Sequence, residues 1–246
     1  MASPASASPK DSDAADAQLV FAGSLSHELR APLAAILGYT QLLHDELRGR
    51  LEPHQEEFFR TILGSVEQSL DLVNDLVDFS RIVSGKQDLR IGPVALNPLC
   101  DDVVHQLHPV AERKGLTLRV DDEAGMLYAS ADVLRLRQIL VNLVLNAIKY
   151  TEEGVILLRL SLSGDRVSIH VSDTGRGISP EFLPRLFERY SREERMTEAV
   201  QQGAGIGLAV ALEYVMLMDG TIDVASTPGQ GSTFSLTLPQ ADLRTW

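Results

Sequence analysis

Two long series of apolar residues near the amino end constrain the fold most. In the first, Leu25, Leu29, Ile36, Tyr39 and Leu43 follow steps of three and four residues, with Pro32 at the one position of the series between Leu29 and Ile36. The same stepping continues unbroken in the second, through Phe59, Leu63, Val66, Leu70, Val73 and Val77. This period predicts two long helices, the first kinked at its proline, joined by a turn at residues 50–53. An antiparallel hairpin cannot cover both apolar seams alone, so we expect a second copy to complete a four-helix bundle as a homodimer.

From about residue 88 the pattern changes to short strand-like runs between helices. Glycine and serine end the second helix, and we predict strands at residues 89–94, 117–120, 155–162, 166–172, 221–225 and 233–238. Helices are predicted at residues 96–106, 131–150 and 207–218. Residues 163–165 have the composition of a hairpin turn. These elements predict an α+β two-layer sandwich, with an antiparallel or mixed sheet that carries helices on one face.

The pattern also divides the chain into segments. Residues 1–14 are rich in Ala, Ser, Pro and Asp and have little to bury, so we expect a disordered lead. The helical hairpin then covers residues 15–83, a hinge residues 84–87, the α+β domain residues 88–240, and a tail residues 241–246.

Composition excludes several classes of function. The formal net charge of −12 disfavours nucleic acid and anionic lipid as partners. Cys100 is the single cysteine of the chain, which excludes an intrachain disulfide and a cysteine-based zinc site. No apolar run approaches the roughly 20 residues that cross a bilayer, and the amino end lacks the order of a secretion signal. We therefore expect a cytoplasmic chain without a membrane partner.

His27 is the first candidate for chemistry. At about 100° per residue it lies some 200° around the helix from Leu25, which directs it to solvent rather than to the bundle core. A neutral imidazole is a nucleophile near pH 7, and the adjacent Glu28 can hold the other ring proton. On position alone, a solvated helix histidine beside a solvated glutamate is the more common interpretation.

Two glycine clusters, DTGRGI at residues 173–178 and GAGIGL at residues 203–208, form the second signal. Backbone without Cβ atoms can approach a polyphosphate closely, and a glycine loop that enters a helix directs free N–H groups at anionic oxygens. Either cluster alone is more often a simple turn. Neither has the P-loop or dinucleotide-binding pattern, which argues against those sites.

A polar stripe on the helix at residues 131–150 is the third signal. Asn142, Asn146 and Lys149 share one face of an otherwise apolar helix, and Tyr150 follows them. An amide oxygen can bind Mg²⁺, a lysine can bind phosphate, and a tyrosine ring can stack on a base. Taken by itself, the stripe also fits a solvated helix face.

In combination and order, the motifs closely resemble those of bacterial-type sensor histidine kinases, over about residues 20–239. SHELRAPL at residues 26–33 is similar to the H box, and DVLRLRQILVNLVLNAIKYT at residues 132–151 to the N box. The clusters at residues 173–178 and 203–208 resemble the two glycine boxes, and FERY at residues 187–190 the F box. GQGSTF at residues 229–234 resembles the last glycine turn. The resemblance implies a dimerisation and histidine phosphotransfer hairpin followed by a Bergerat-type ATP-binding domain.

The resemblance also implies a role for each matching residue. His27 would attack the γ-phosphate of ATP, with Glu28 as base and Arg189 neutralising charge in the transition state. Asn146 would bind Mg²⁺, and Asp173 would accept a hydrogen bond from the adenine amino group. The rest of the implied nucleotide site comprises phosphate contacts at Asn142 and Lys149, base contacts at Tyr150 and Ile178, and close backbone approach at Gly175, Gly177, Gly203, Gly205 and Gly207. Further nucleotide-binding positions are implied at Ala204, Ile206, Leu208 and Thr233.

The implied partner is a response regulator, whose receiver-domain aspartate would take the phosphoryl group. Residues 191–202 would form an ATP lid, and a joint near residues 83–87 would let the two domains converge. Ala31 stands where the family usually has Thr or Asn, which puts phosphatase activity in doubt. Two other classes stay open: a Bergerat-fold ATPase related to chaperones, topoisomerases or mismatch-repair proteins, and a non-catalytic scaffold that signals by binding.

Overall fold

The computed structural model of the chain describes residues 9–83, 88–121, 125–188, 191 and 205–244. Side chains are described from Glu28 onward, apart from those of residues 75, 76, 79 and 83. The chain divides into two compact units at Gln87 and Asp88, and Gly205 and Ile206 are grouped with the first of them. The expected hinge at residues 84–87 lies outside the described residues.

The first unit is a pair of helices, α1 (Pro9–Leu47) and α2 (Pro53–Val83). The helix α1 is described from Pro9 onward. The structure thus differs from the expected disordered lead over residues 9–14, which are helical. Neither helix, nor any other in the described part of the chain, is long and apolar enough to span a lipid bilayer.

Polar contacts join α1 to α2 toward each end of the hairpin. Near the turn, His44 Nε2 lies 2.8 Å from Glu56 Oε2. Far from the turn, Arg30 donates through Nη2 to Asn74 Oδ1 at 2.8 Å. Because Arg30 is three residues after His27, this bond fixes the register of the two helices close to the candidate nucleophile.

The apolar seams are only partly covered within one hairpin. Val66, Val73 and Val77 of α2 are buried. The α1 seam stays exposed, from 42% for Leu29 to 70% for Tyr39. A single copy therefore leaves a continuous apolar stripe on α1 in contact with water.

The second unit is built on a five-stranded sheet, and the predicted α+β class is confirmed. In chain order its elements are β1 (Gly92–Ala95), α3 (Leu96–Arg113), β2 (Thr117–Asp121), β3 (Tyr128–Ala131), α4 (Val133–Tyr150), β4 (Val155–Ser163), β5 (Arg166–Asp173), a short 3₁₀ helix (Leu183–Arg185), α5 (Gly207–Leu217), β6 (Thr221–Thr227) and β7 (Gly231–Pro239). The sheet order is β2-β4-β5-β7-β6, with β2 and β4 parallel and the other pairs antiparallel. A separate small sheet pairs β1 with β3.

The two faces of the large sheet differ in chemistry because successive strand residues point to opposite sides. One face is apolar and buried, with Ile156, Leu158, Ile169, Val171 and Leu236 at its centre. The opposite face is polar, and its hydroxyls pair across the strands, as Ser168 Oγ does with Thr237 Oγ1 at 2.8 Å. The core of this unit therefore lies on one side of the sheet only.

Several boundaries differ from the predicted ones. The strand β3 was not predicted, since its four residues are too few to show a period. The helix α3 continues past Pro109 to Arg113, beyond the predicted end at residue 106. The helix α4 begins at Val133 because Asp132 Oδ1 accepts hydrogen bonds from the N–H groups of Leu134 and Arg135.

Two leucines of α4 that differ in burial provide a test of how this helix packs. Leu140 has no exposed surface, whereas Leu134 is 72% exposed. Leu140→Ala should lower the free energy of unfolding of this unit by about 2–5 kcal/mol, because it leaves a cavity in the core. Leu134→Ala should change it by less than about 0.5 kcal/mol. Urea denaturation of both variants measures the difference, and equal losses would contradict the packing described for α4.

Candidate nucleotide-binding site

The site is organised around the carboxyl group of Asp173, the last residue of β5. Its Oδ1 accepts hydrogen bonds from the N–H of Gly175 at 2.8 Å and from the N–H of Ser232 at 3.3 Å. Burial raises the pKa of this carboxyl above its ordinary value, and the two backbone hydrogen bonds oppose that rise. Oδ2 accepts no hydrogen bond from the described residues. One carboxylate oxygen is thus oriented by the fold, and the other is left for a donor from outside.

Glycines make this arrangement possible because backbone packs directly on Asp173. A Cβ at Gly175 would lie 2.8 Å from Asp173 Oδ1, and a Cβ at Gly231 would collide with the Asp173 carbonyl oxygen. Gly231 also has φ +104°, and Gly177, with φ +69°, packs in the same way against the carbonyl of Thr227. Any side chain at these positions would push the loop away from the carboxylate.

The carboxyl end of α4 lies beside this loop. The N–H of Arg176 donates to the carbonyl oxygen of Tyr150 at 3.3 Å. Two cations contact the Tyr150 ring, with Lys149 Nζ 5.1 Å and Arg176 Cζ 5.0 Å from its centroid. One turn back, Asn146 Nδ2 lies 3.5 Å from Asn142 Oδ1. The structure therefore brings Asn142, Asn146, Lys149 and Tyr150 of the polar stripe to the same end of the sheet as Asp173.

The amino end of α5 packs against the same stripe. A Cβ at Gly207, the first residue of α5, would lie 3.0 Å from both the oxygen and the nitrogen of the Asn142 amide. The first N–H groups of a helix have no partner within it and attract anions. Leu208, the next residue, is half-buried. Asn142 and the start of α5 thus provide neighbouring donors for a phosphate group.

Several other residues predicted for the site belong to the helical unit or lie outside the described residues. Gly205 has φ +69° and Ile206 is buried, and both are grouped with the helical unit. Gly203, Ala204 and Arg189 lie outside the described residues, as does most of the predicted lid at residues 191–202. His27 lies on α1, where Glu28 is exposed, but the side chain of His27 is outside the described part.

The structure does not bring Thr233 to the site. Its Oγ1 lies 2.9 Å from Ser172 Oγ, on the polar face of the sheet, whereas Asp173 follows Ser172 by one residue and points to the other face. The β7 residue beside Asp173 is Ser232, which is buried and supplies an N–H to the carboxylate. The prediction of Thr233 was displaced by one residue along the strand.

The sequence analysis did not predict a role for Ser226, which connects the glycine loop at residues 173–178 to the glycine turn at residues 229–234. The N–H of Ile178 donates to Ser226 Oγ at 2.8 Å. The same hydroxyl lies 3.0 Å from the carbonyl oxygen of Gly231 and 3.0 Å from Ser232 Oγ. No motif marks this serine, because its role depends on the pairing of β6 with β7.

A buried polar atom that has no partner among the described residues lies next to the Asp173 loop. Thr151 is fully buried, and its Oγ1 has no hydrogen-bond partner among the described residues. A Cβ at Gly175 would lie 3.0 Å from this oxygen, which places the hydroxyl next to the Asp173 loop. A buried hydroxyl that lacks a partner is costly, so it indicates a site that is completed by other groups.

The described residues contain no group of three or more His, Cys, Asp or Glu side chains that would hold a metal ion alone. That finding is compatible with Mg²⁺, which usually takes one or two protein ligands and completes its shell with substrate phosphates and water. The amide oxygen of Asn146, on the stripe that faces α5, fits such a single ligand. The residues present therefore fit a magnesium–nucleotide complex rather than a resident metal.

Comparison with known families agrees with this geometry. Residues 131–242 match the family described as "Histidine kinase-, DNA gyrase B-, and HSP90-like ATPase". Residues 17–85 match the "His Kinase A (phospho-acceptor) domain". A helical phosphoacceptor hairpin followed by this type of ATPase domain defines a class of signalling protein.

Similar individual proteins belong to the same class. The chain is 37% identical over 226 residues to the circadian input-output histidine kinase CikA of Synechococcus elongatus, covering 91% of this chain and 30% of that protein. It is 40% identical over 229 residues to the sensor protein GacS of Pseudomonas syringae pv. syringae, covering 90% of this chain and 25% of that one. The chain thus spans about a third or less of these relatives.

A solved structure of full-length ShkA in complex with AMPPNP matches with a TM-score of 0.72 and 34% identity, covering 91% of this chain and 46% of that one. The chain belongs to the sensor histidine kinases of two-component systems.

Neighbouring hydroxyls on β7 test the geometry of the site. Ser232→Ala removes the hydroxyl that contacts Ser226 beside Asp173, and it should raise the Kd for AMPPNP roughly three- to tenfold. Thr233→Ala removes a hydroxyl on the opposite face and should change that Kd by less than about twofold. Titration calorimetry of both variants measures this. A larger loss for Thr233→Ala would show that the strand faces are assigned the wrong way round.

Proposed function

We propose that this chain binds ATP, phosphorylates His27 with its γ-phosphoryl group, and passes that group to an aspartate of a response regulator receiver domain. The observation that carries the proposal is the half-buried carboxylate of Asp173, which has one oxygen oriented by backbone N–H groups and the other open. The same chain has a His-Glu pair on a helix. The matched families support each half separately.

The open oxygen of Asp173 suits the exocyclic amino group of adenine. A carboxylate accepts a hydrogen bond and cannot donate one, so it favours a base that presents an N–H donor at that position. Tyr150 lies at the end of α4, and Ile178 lies in the loop that follows Asp173. From these positions the two side chains can flank the base. The complex of the related ShkA with AMPPNP supports an adenine nucleotide as the ligand.

The phosphates would then extend toward α5. Asn142, Lys149 and the first N–H groups of α5 offer donors for their oxygens. Asn146 would hold Mg²⁺ through its amide oxygen. The ion supplies charge neutralisation to the triphosphate, and this chain's residues supply alignment.

The chemical step is attack by a ring nitrogen of His27 on the γ-phosphorus. A nitrogen–phosphorus bond forms, the bond from the γ-phosphorus to its bridging oxygen breaks, and ADP leaves with that oxygen. Glu28, which is exposed on the next position of α1, accepts the proton from the other ring nitrogen. Arg189 would neutralise charge in the transition state. In the second step a receiver carboxylate oxygen replaces the histidine nitrogen on phosphorus.

The segments keep their proposed roles in this scheme. Residues 15–83 serve as dimerisation and phosphotransfer hairpin, residues 84–87 as hinge, residues 88–240 as ATP-binding domain and residues 191–202 as lid. A second copy of the chain would cover the apolar stripe on α1, where Ile36 and Leu43 are about half exposed. The match to the phosphoacceptor family supports a homodimer.

The proposal is tested with γ-labelled ATP and Mg²⁺ on the full chain and two variants. Wild type should acquire acid-labile label, as expected of a phosphohistidine. His27→Gln should bind AMPPNP like wild type but acquire no label, because only the nucleophile is lost. Asn146→Ala should lose most of the label through loss of the metal ligand.

A matched control is His54→Gln, since His54 is an exposed histidine at the start of α2 with no proposed role. It should be labelled like wild type. Label that survives His27→Gln would remove the assignment of the phosphoacceptor. Nucleotide binding without any labelling would favour an ATPase or a scaffold instead.

A further inference from the structure

Lys114 is a polar side chain that the proposed mechanism does not use, and it contacts the end of α4. Its Nζ donates to the carbonyl oxygen of Ile148 at 2.6 Å and to that of Lys149 at 2.8 Å. The residue lies 34 positions before Ile148 in the chain, at the carboxyl end of α3. No motif in the sequence marks it.

The last carbonyls of a helix lack partners within it, so each must be satisfied from outside. At the end of α4 the Ala147 carbonyl accepts from the N–H of Thr151, and the Tyr150 carbonyl accepts from the N–H of Arg176. The two carbonyls between them accept from Lys114. A cation is also the favoured charge at this negative end of the helix dipole.

The main chain around Lys114 is itself fixed, so its side chain projects from a rigid point. The N–H of Lys114 donates to Ala111 at 3.0 Å, and the next residue, Gly115, has φ +74°. The N–H of Thr117 then donates to the carbonyl of Gly154, just beyond α4. Lys114 is exposed as a residue, and partial burial lowers the pKa of its ammonium group, with the nearby Glu152 opposing.

We infer that Lys114 is a positioning residue of the nucleotide site: it clamps the last turn of α4, and through that turn it sets Lys149 and Tyr150 relative to the Asp173 loop. The inference rests on the proposed nucleotide binding, because Lys149 and Tyr150 act there on the ligand. Among the described residues, Lys114 Nζ bonds to the α4 carbonyls and not to the Asp173 loop. Its effect is to keep the donors of α4 in place before a nucleotide arrives.

The neighbouring cation provides a matched control. Among the described residues, Arg113 bonds within its own helix, from Nε to the Pro109 carbonyl at 3.2 Å. Arg113→Met and Lys114→Met remove the same charge from adjacent positions, but only the second frees the α4 carbonyls. Lys114→Arg keeps both the charge and enough donors for two carbonyl oxygens.

The test measures AMPPNP binding with Mg²⁺ and amide hydrogen exchange of the ligand-free full chain. Lys114→Met should raise the Kd about three- to tenfold, the range for losing a charged donor at a helix end. In the ligand-free protein it should speed exchange at the amides of Thr151 and Arg176, and leave β4 and β5 unchanged. Lys114→Arg and Arg113→Met should stay within about twofold of wild type in both measurements.

The inference is overturned if Lys114→Met binds AMPPNP like wild type, or if Arg113→Met weakens binding equally, which would indicate a general charge effect. It is also overturned if exchange at Thr151 and Arg176 does not change. A wild type that fails to bind AMPPNP would contradict the proposed function instead. In that case the exchange data still decide whether Lys114 clamps the end of α4.

Discussion

The half-buried carboxyl group of Asp173 is the constraint on which the rest of the catalytic unit depends. Burial raises its pKa, so an ionised Asp173 destabilises the ligand-free fold, and backbone N–H groups from two separate segments offset that cost only in part. Both segments must approach within hydrogen-bonding distance, which requires glycine at positions 175 and 231. The pairing of β5 with β7 brings the second segment there, and the end of α4 closes the site from the other side.

Sequence motifs predicted the parts of this site that local chemistry determines. Asp173 and the glycines around it form one contiguous loop, and the stripe of Asn142, Asn146 and Lys149 follows from helical spacing alone. The register of β7 was harder to predict, since a shift of one residue reverses every side chain between the faces. In the structure Ser232, rather than the predicted Thr233, lies beside the carboxylate.

Contacts between distant parts of the chain could not be predicted from one sequence. Ser226 joins the glycine loop at residues 173–178 to the glycine turn at residues 229–234 only because β6 lies against β7. Lys114 contacts α4 only because α3 ends beside it. Both residues are of common types and lie in no motif. The small strand β3 was not predicted for a related reason: four residues show no period, and its partner β1 lies more than thirty positions earlier. Tertiary pairing, rather than local propensity, determines these features.

The most direct test of the central claim is Asp173→Asn, studied without and with AMPPNP. Asn keeps an oxygen for the N–H groups of Gly175 and Ser232 but carries no charge, so the ligand-free variant should melt at a higher temperature than wild type at neutral pH. Because the folded pKa of Asp173 is raised, this gain should shrink as the pH falls through that pKa toward the ordinary value for aspartate. Binding of AMPPNP should be lost. A variant that binds AMPPNP like wild type, or that is less stable than wild type at neutral pH, would contradict the account.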